Sequence, residues 1–358
     1  MSNNKLENKV FLLSMKSEIV KIDIEQLLEL KNTIPLADVR TPAEFNHAHI
    51  SGAFNLPIFS DEERTAVGTT YKQKSREAAI LLGLDFTGPK WSGFIKTALK
   101  HCPEKKIILH CWRGGMRSGT MAWILNLYGF DVYVLEGGYK NYRNHILSVF
   151  SRKYNLVILG GMTGSKKTRV LKNLSDAGEQ IIDLENLAQH QGSAFGSLGY
   201  LIQPSQEQFE NLLSENLILF PDNEKRIWVE DESITIGKMV IPQGFWQQMR
   251  KAIVYKIEVE TEERIDFLVE EYGNLNKDFL KESIHRITKK LGPQHAKAAI
   301  EAVEENKMRE FIKIVLVYYD KAYLQGQNSR DSQNMITVPF IEKNNELNIN
   351  NLINIANQ

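Results

Sequence analysis

Ile107-Ile-Leu-His110-Cys111-Trp-Arg113-Gly-Gly-Met-Arg117-Ser118-Gly119 runs from an apolar segment through a glycine-rich turn into a helical pattern. Ile107 to His110 has the length and composition of a buried parallel strand. After the turn, Ser118 to Tyr128 reads as an apolar helix ended by Gly129 at a C-cap-like position, and Val132 to Leu135 reads as the next strand. Two parallel strands joined by a crossing helix make a complete β-loop-α-β unit. Working outward, Leu36 to Val39 supplies a further strand. The alternation of short apolar runs and helical patterns from Ile19 to Val149 therefore predicts an α/β fold with a parallel sheet and helices on both faces.

The turn itself carries chemistry. A cysteine between a strand and a helix N-terminus is ringed by backbone N–H groups at the positive end of the helix dipole. With Arg113 and Arg117 nearby, the Cys111 thiolate is expected to be stabilised. Gly114 and Gly115 let the backbone curl around the sulfur and its cargo. Two other readings fit the loop alone: an inert buried cysteine at a strand end, and the Cys-x5-Arg loop of a phosphatase. Asp38, Arg40 and Glu44 follow the first strand, where an Asp-x-Arg pair most simply braces its own turn. They are read as structural.

A second α/β series begins after the polar segment Phe150 to Asn155, which puts a domain boundary near residue 150. Leu156-Val-Ile-Leu-Gly160-Gly161-Met-Thr-Gly164-Ser165-Lys166-Lys167-Thr168 is a strand, a glycine-rich turn and a helix start, the context of a phosphate-binding loop. Gly161, Gly164, Ser165, Lys166, Lys167 and Thr168 are the candidate phosphate-binding residues. Loop N–H groups would cradle the anion, Lys167 would reach its terminal phosphate, and Thr168 would take Mg2+. Lys166 stands where the G-x-x-x-x-G-K-[ST] pattern has glycine, so the cradle is either narrowed or given an extra charge there.

Further strands are expected at Gln180 to Asp183, Arg226 to Glu230 and Ala252 to Val259. The run Ile227-Trp-Val-Glu230-Asp231-Glu232-Ser233 ends a strand in acids, with Glu230 and Asp231 the candidates for orienting a metal or water; solvated strand-end charges are the alternative. From about 262 to 325 the pattern becomes helical, a lid or an appended subdomain. The expected organisation is residues 1–150 as one domain and 151–358 as a second with that helical subdomain. The Asn-rich tail from Asn344 reads as a terminal helix or a frayed end.

Composition sets the bounds. The chain has 358 residues, too many for one ordinary core. Hydrophobic residues at 42% and charged residues at 25% are globular values. With 44 basic and 44 acidic residues there is no global positive field, so any nucleic-acid site has to be a local patch. Two cysteines, Cys102 in an exposed-looking His-Cys-Pro-Glu turn and Cys111, argue against a disulfide scaffold and for a reducing compartment. The only apolar run near the N-terminus, Val10 to Leu13, falls far short of the ~20 residues that span a bilayer. No membrane role and a cytoplasmic location are the default expectations.

The motifs carry two family resemblances. Asp38-Val-Arg-Thr-Pro-Ala-Glu-Phe, His49-Ile-Ser-Gly-Ala-Phe-Asn-Leu-Pro57, the Cys111 to Ser118 loop and Gly137-Gly138-Tyr139 resemble the rhodanese family over about residues 15 to 147. The resemblance implies that Cys111 carries sulfur or selenium; Arg113 and Arg117, from their place in the loop, are the candidate catalytic residues beside it. The pairing of that module with a phosphate loop resembles the tRNA 2-selenouridine synthases. Gly68-Thr-Thr-Tyr-Lys-Gln73, Asp183-Leu-Glu185-Asn-Leu-Ala, His190-Gln-Gly-Ser-Ala-Phe-Gly196, Glu230-Asp-Glu-Ser233 with Ile236-Gly237, and Tyr318-Tyr-Asp-Lys-Ala-Tyr323 extend it over nearly the whole chain.

That resemblance implies S-geranylation of wobble 2-thiouridine in tRNA from geranyl diphosphate, then replacement of the geranylthio group by selenium from selenophosphate. Both are co-substrates; no tightly bound cofactor is implied beyond Mg2+ at Thr168, and a selenophosphate-supplying enzyme is an implied partner. The phosphate loop becomes a diphosphate grip, and Cys111 either delivers selenium or attacks the geranylated intermediate. Phe195, Leu198 and Tyr200 are candidate terpene-pocket residues, or core. For tRNA contact the candidates are Lys72, Lys74 and Arg76, and Arg286, Lys289, Lys290 and Lys297 in the helical region; taken singly, each is more simply a solvated helix face. Two other functions stay open: an ATP-dependent sulfurtransferase or kinase fusion, and a non-catalytic nucleotide-binding sensor. Oligomeric state is not encoded in these motifs.

Overall fold

The computed structural model describes residues 18–220, 224–327, 334–340 and 345–358. The N-terminal run Val10 to Leu13 and the first residue of the Asn-rich tail lie outside the described residues. The chain forms two compact units, residues 1–145 and 146–358. The division falls inside the helix Gly138–Val149, ahead of the polar segment at which the boundary was expected. An amphipathic helix is harder to read as a boundary than a polar stretch.

The first unit is a five-stranded, all-parallel sheet. Its strands are β1 (Val20–Ile22), β2 (Leu36–Asp38), β3 (Phe54–Asn55), β4 (Lys106–His110) and β5 (Asp131–Leu135), in the order β1-β5-β4-β2-β3. β4 is buried from Ile107 to His110 because helices cover both faces of a parallel sheet. Its C-terminal end, between β5 and β2, is where connections leave the sheet in opposite directions and open a crevice. Cys111 follows immediately. Helix Met116–Tyr128 packs back onto the sheet through Met121, Ala122, Ile124 and Leu125, and ends at Gly129 in the left-handed conformation, φ 102°. Cys102 is buried, not exposed in its turn: it belongs to the core beside Phe94 and Ala98, and burial pushes its thiol up to about 11.

The second unit is also α/β. Its strands are β6 (Leu156–Gly160), β7 (Gln180–Ile182), β8 (Ile227–Glu230), β9 (Thr235–Ile236), β10 (Met239–Val240), β11 (Ile253–Glu258) and β12 (Met335–Pro339). The main sheet is parallel, in the order β12-β11-β6-β8-β7, and β9 and β10 form a separate antiparallel pair. β6 is wholly buried at its centre and delivers the phosphate loop. Asp183, expected at the end of a strand, instead caps helix Leu184–Ala188 by accepting the Asn186 N–H. The helical region comprises Thr261–Tyr272, Lys277–Leu291, Pro293–Glu304 and Met308–Gln327, and Asn345–Ala356 is a terminal helix. Phe195 and Leu198 are buried in the core of the helical region, with Phe195 packed on Tyr272 and Phe311 at 5.6 Å. They form core, not an open terpene pocket, and Tyr200 is exposed.

Among the described residues no helix is long and apolar enough to cross a membrane.

Candidate functional site

Two sites stand at the strand ends that the loops predicted, one in each unit. In the first unit, Gly137-Gly138-Tyr139 forms the floor beneath the cysteine loop. Tyr139 N–H donates to the Cys111 carbonyl at 2.8 Å, and Lys140 N–H donates to Trp112 O at 2.9 Å. Gly138 has φ +58°, and a Cβ there would collide with the Cys111 carbonyl and the Gly114 nitrogen, so only glycine allows this approach.

Cys111 is buried, with its Sγ 3.2 Å from Ser118 Oγ. Burial pushes the thiol up. Contacts from Ser118 Oγ, the backbone N–H groups of Ser118 and Arg113, and the Arg117 charge outweigh that, so it lies below the ordinary cysteine value. The two arginines differ. Arg113 offers its backbone N–H to the sulfur while its side chain is exposed. Arg117 is fastened to Glu44, Nη1 to Oε2 at 2.6 Å and Nη2 to Oε1 at 3.3 Å. Glu44 also accepts from Thr41 N in a capping box. Burial raises the Glu44 carboxyl, the Arg117 pairing overcomes this, and it ends below the ordinary range.

Asp38 and Arg40 behave as the structural reading expects. Both are buried, joined at 2.6 Å, with Arg40 Nη2 also donating to Ala48 O at 2.7 Å and its guanidinium 3.8 Å from the Tyr139 ring centre. Glu44 was read with them as structural, but it faces the same cavity as Cys111. That cavity, about 1170 Å3, lies between the cysteine loop and the helix pair Asp61–Gln73 and Arg76–Thr87. Cys111, Arg113, Arg117, Lys72 and Arg76 all line it; Lys74 is exposed and does not.

In the second unit, the loop after β6 turns through Gly164, φ +84°, whose Cα lies so close to Arg264 O that a Cβ would sit at 2.9 Å. Lys166 also adopts the left-handed conformation, φ 61° and ψ 30°, the conformation for which the pattern reserves glycine. Its ammonium lies 5.9 Å from the Phe267 ring centre, so the side chain leans on helix Thr261–Tyr272. Lys167 Nζ donates to Gly161 O at 3.0 Å, closing over the loop. Ser165 Oγ is buried and makes no hydrogen bond. Thr168 Oγ1 donates toward Glu185 Oε2 and Glu230 Oε1, both at 3.2 Å.

Of the two predicted acids, Glu230 reaches Thr168. Asp231 gives its backbone N–H to Leu159 O and its charge bears on Glu232, and Glu185 and Glu232 join the acidic cluster. Burial and the mutual repulsion of Glu185, Asp183 and Glu232 raise Glu230 well above the carboxylate range. Burial and Glu185 push Glu232 up to about 8. Among the described residues no group of three or more His, Cys, Asp or Glu side chains is arranged to hold a metal by itself.

Helix Met308–Gln327 buttresses the loop. Tyr323 Oη accepts the Gly161 N–H at 2.7 Å, Asp320 holds Arg264 at 2.5 Å, and Arg264 Nε donates to Thr163 O at 2.8 Å. Tyr319 Oη accepts from Ala194 N at 3.1 Å. The Tyr318 to Tyr323 motif thus has a mechanical role that the sequence alone left blank. Arg264 was missed there; its one signal is a cation inside an otherwise amphipathic helix. Of the basic residues in the helical region, Arg286 pairs with Glu282 at 3.7 Å and Lys297 with Glu301 at 3.8 Å, while Lys289 and Lys290 are exposed in the last turn of their helix.

With this geometry in hand, the similarities to known proteins are specific. Residues 154–346 match a family described as the tRNA 2-selenouridine synthase AAA domain, and residues 23–145 match the rhodanese-like domain. A tRNA 2-selenouridine synthase from Nitrosomonas europaea is 38% identical over 272 residues, 72% of this chain and 68% of that protein. One from Hydrogenovibrio crunogenus is 35% identical over 338 residues, 84% and 91% of the two chains. One from Shewanella woodyi is 34% identical over 331 residues, 81% and 87%.

Proposed function

The chain belongs to the tRNA 2-selenouridine synthase family, and from that premise we propose that it converts wobble 2-thiouridine in tRNA to 2-selenouridine in two transfers, in the cytoplasm. In the first, the thiouridine sulfur takes the geranyl group from geranyl diphosphate and pyrophosphate leaves. In the second, selenium from selenophosphate replaces the geranylthio group. The observation that carries this reading is the Cys111 thiol, lowered below its ordinary value at a cavity with a cationic rim, in the same chain as a phosphate loop.

The second unit is assigned to the diphosphate. Loop N–H groups and Lys167 would take up charge as the C–O bond to pyrophosphate breaks. Lys167 now sits on Gly161 O and would exchange that contact for phosphate. Lys166, leaning on Phe267, leaves the cradle unfilled by its side chain. Thr168, beside Glu185 and Glu230, fits a hard cation completed by phosphate oxygens, one carboxylate and water. A bound Mg2+ would supply electrostatic stabilisation of the leaving diphosphate.

In the first unit, Cys111 is assigned to the selenium step. Ser118 and the loop N–H groups favour its anionic form, and Arg117, oriented by Glu44, adds positive charge. Lys72 and Arg76 would meet RNA phosphates at the cavity, and Lys289 and Lys290 are further candidates in the second unit.

Two variants separate the steps. Cys111→Ala is expected to leave geranylated thiouridine accumulating while selenouridine falls by more than about a hundredfold. Lys167→Ala is expected to abolish geranylation yet still permit selenation of RNA supplied already geranylated. Mass analysis of the digested nucleosides reads both. Full selenation by Cys111→Ala would overturn the assignment of the thiol, and undiminished geranylation by Lys167→Ala that of the loop.

A further inference from the structure

A phosphate loop turns its N–H groups inward to meet an anion, so its carbonyls face outward and need partners of their own. In the second unit several of these partners are local. Ser165 N–H donates to Met162 O at 3.1 Å, Lys167 Nζ to Gly161 O at 3.0 Å, and Val170 N–H to Lys166 O at 3.0 Å. Thr163 O, in the middle of the loop, is held differently: it accepts from Arg264 Nε at 2.8 Å, across 101 positions of chain.

The surroundings of Arg264 make it a brace. It is 3% exposed, so its guanidinium is enclosed by protein. Asp320, from helix Met308–Gln327, grips it twice, accepting from Nη1 at 3.1 Å and from Nη2 at 2.5 Å. Nη1 also meets Met162 Sδ at 3.2 Å. One planar fork therefore spans Asp320 and two consecutive loop residues, Met162 and Thr163. The backbone of the same arginine closes in on the next residue, since a Cβ on Gly164 would lie 2.9 Å from Arg264 O and 3.0 Å from Leu268. Lys166 meanwhile holds a left-handed conformation, φ 61°, that a lysine resists. A loop carrying that cost depends on contacts from outside itself to keep its shape.

We propose that Arg264 is a positioning residue for the diphosphate step: locked by Asp320, it holds the Thr163 carbonyl outward and keeps the loop shaped for a diphosphate before that ligand arrives. The proposal rests on the reading of this loop as the diphosphate site and adds the residue on which its preorganisation depends. A loop already ordered loses less freedom on binding. A loop free to relax would also turn the Thr163 carbonyl dipole toward the anion. Asp320 neutralises the guanidinium, so the contribution of Arg264 is geometry and not charge.

The test uses the full chain, with pyrophosphate and Mg2+ titrated by calorimetry, melting temperature as the check on folding, and KM and kcat for geranylation from nucleoside mass analysis. Arg264→Met removes the brace and leaves Asp320 unpaired. Arg264→Met combined with Asp320→Leu removes both charges, which a fold tolerates better than the loss of one partner. Arg264→Lys keeps the charge, but an ammonium has no fork with which to hold Asp320 and Thr163 O together. The double variant is expected to melt near wild type. All three are expected to bind pyrophosphate at least about tenfold more weakly, with KM for geranyl diphosphate raised to match and kcat little changed. Selenation of RNA supplied already geranylated is expected to stay at the wild-type rate.

Wild-type pyrophosphate affinity in the double variant would overturn the proposal, and so would full recovery in Arg264→Lys. A lowered kcat at unchanged KM would also overturn it, because that is the mark of a smaller folded fraction. Lys167→Ala, titrated in parallel, separates this from failure of the underlying reading. If wild type and Lys167→Ala bind pyrophosphate alike, the loop is not the diphosphate site; if Lys167→Ala weakens binding and the Arg264 variants do not, only the brace is refuted.

Discussion

Against burial, the Cys111 thiol is lowered by one hydroxyl and the backbone N–H groups of Ser118 and Arg113 more than by the Arg117 charge. Ser118 Oγ lies 3.2 Å from the sulfur, while Arg117 is shared with Glu44. Ser118→Ala should therefore shift the midpoint of Cys111 alkylation to higher pH and slow the reaction at neutral pH, because less of the thiol is ionised. An alkylation-rate profile checks this, with Cys102, whose thiol burial pushes up to about 11, the slow internal reference. An unchanged midpoint would transfer the effect to the loop N–H groups. At this scale the cysteine loop was legible because its residues are contiguous. Glu44 was not legible as a site residue, since its partner Arg117 is 73 positions away and only the fold joins them. Glu185 and Glu232 were likewise illegible as part of the second site: Glu185 meets Thr168 and Glu232 meets Glu185 only in the fold.

The phosphate loop and its buttress form the element on which the second unit's reading depends. Lys166 occupies a left-handed conformation that costs a non-glycine residue about 1–2 kcal/mol, partly offset by its contact with Phe267. Lys166→Gly is expected to stabilise the unit by about 1 kcal/mol, raising its melting temperature by about 2–4 °C. Calorimetry with and without pyrophosphate measures this; a lowered melting temperature would mean that the Phe267 contact outweighs the backbone strain. The apolar runs within β4, β6 and β8 were legible from composition, since burial on both faces demands continuous apolar residues. β3, β9 and β10 were not: two residues carry no periodicity, and pairing alone makes them strands. The Tyr318 to Tyr323 motif was visible as a string but mute as mechanics, because its partners Gly161, Arg264 and Ala194 come from three separate segments.

The whole molecule joins two parallel α/β units whose reactive loops each leave the C-terminal end of a central strand. Neither loop alone specifies the chemistry. A low-pKa cysteine fits sulfur transfer or phosphate ester cleavage, and a phosphate loop fits any nucleotide enzyme. Their union in one chain is what a route through an alkylated thionucleotide would require. The most direct test incubates the protein with 2-thiouridine tRNA and geranyl diphosphate or selenophosphate, singly and together, with no ATP present, and analyses the wobble nucleoside by mass spectrometry. The account predicts S-geranyl-2-thiouridine with geranyl diphosphate alone, no product with selenophosphate alone, and 2-selenouridine with both. Selenouridine formed without geranyl diphosphate, or formed only when ATP is added, would contradict it.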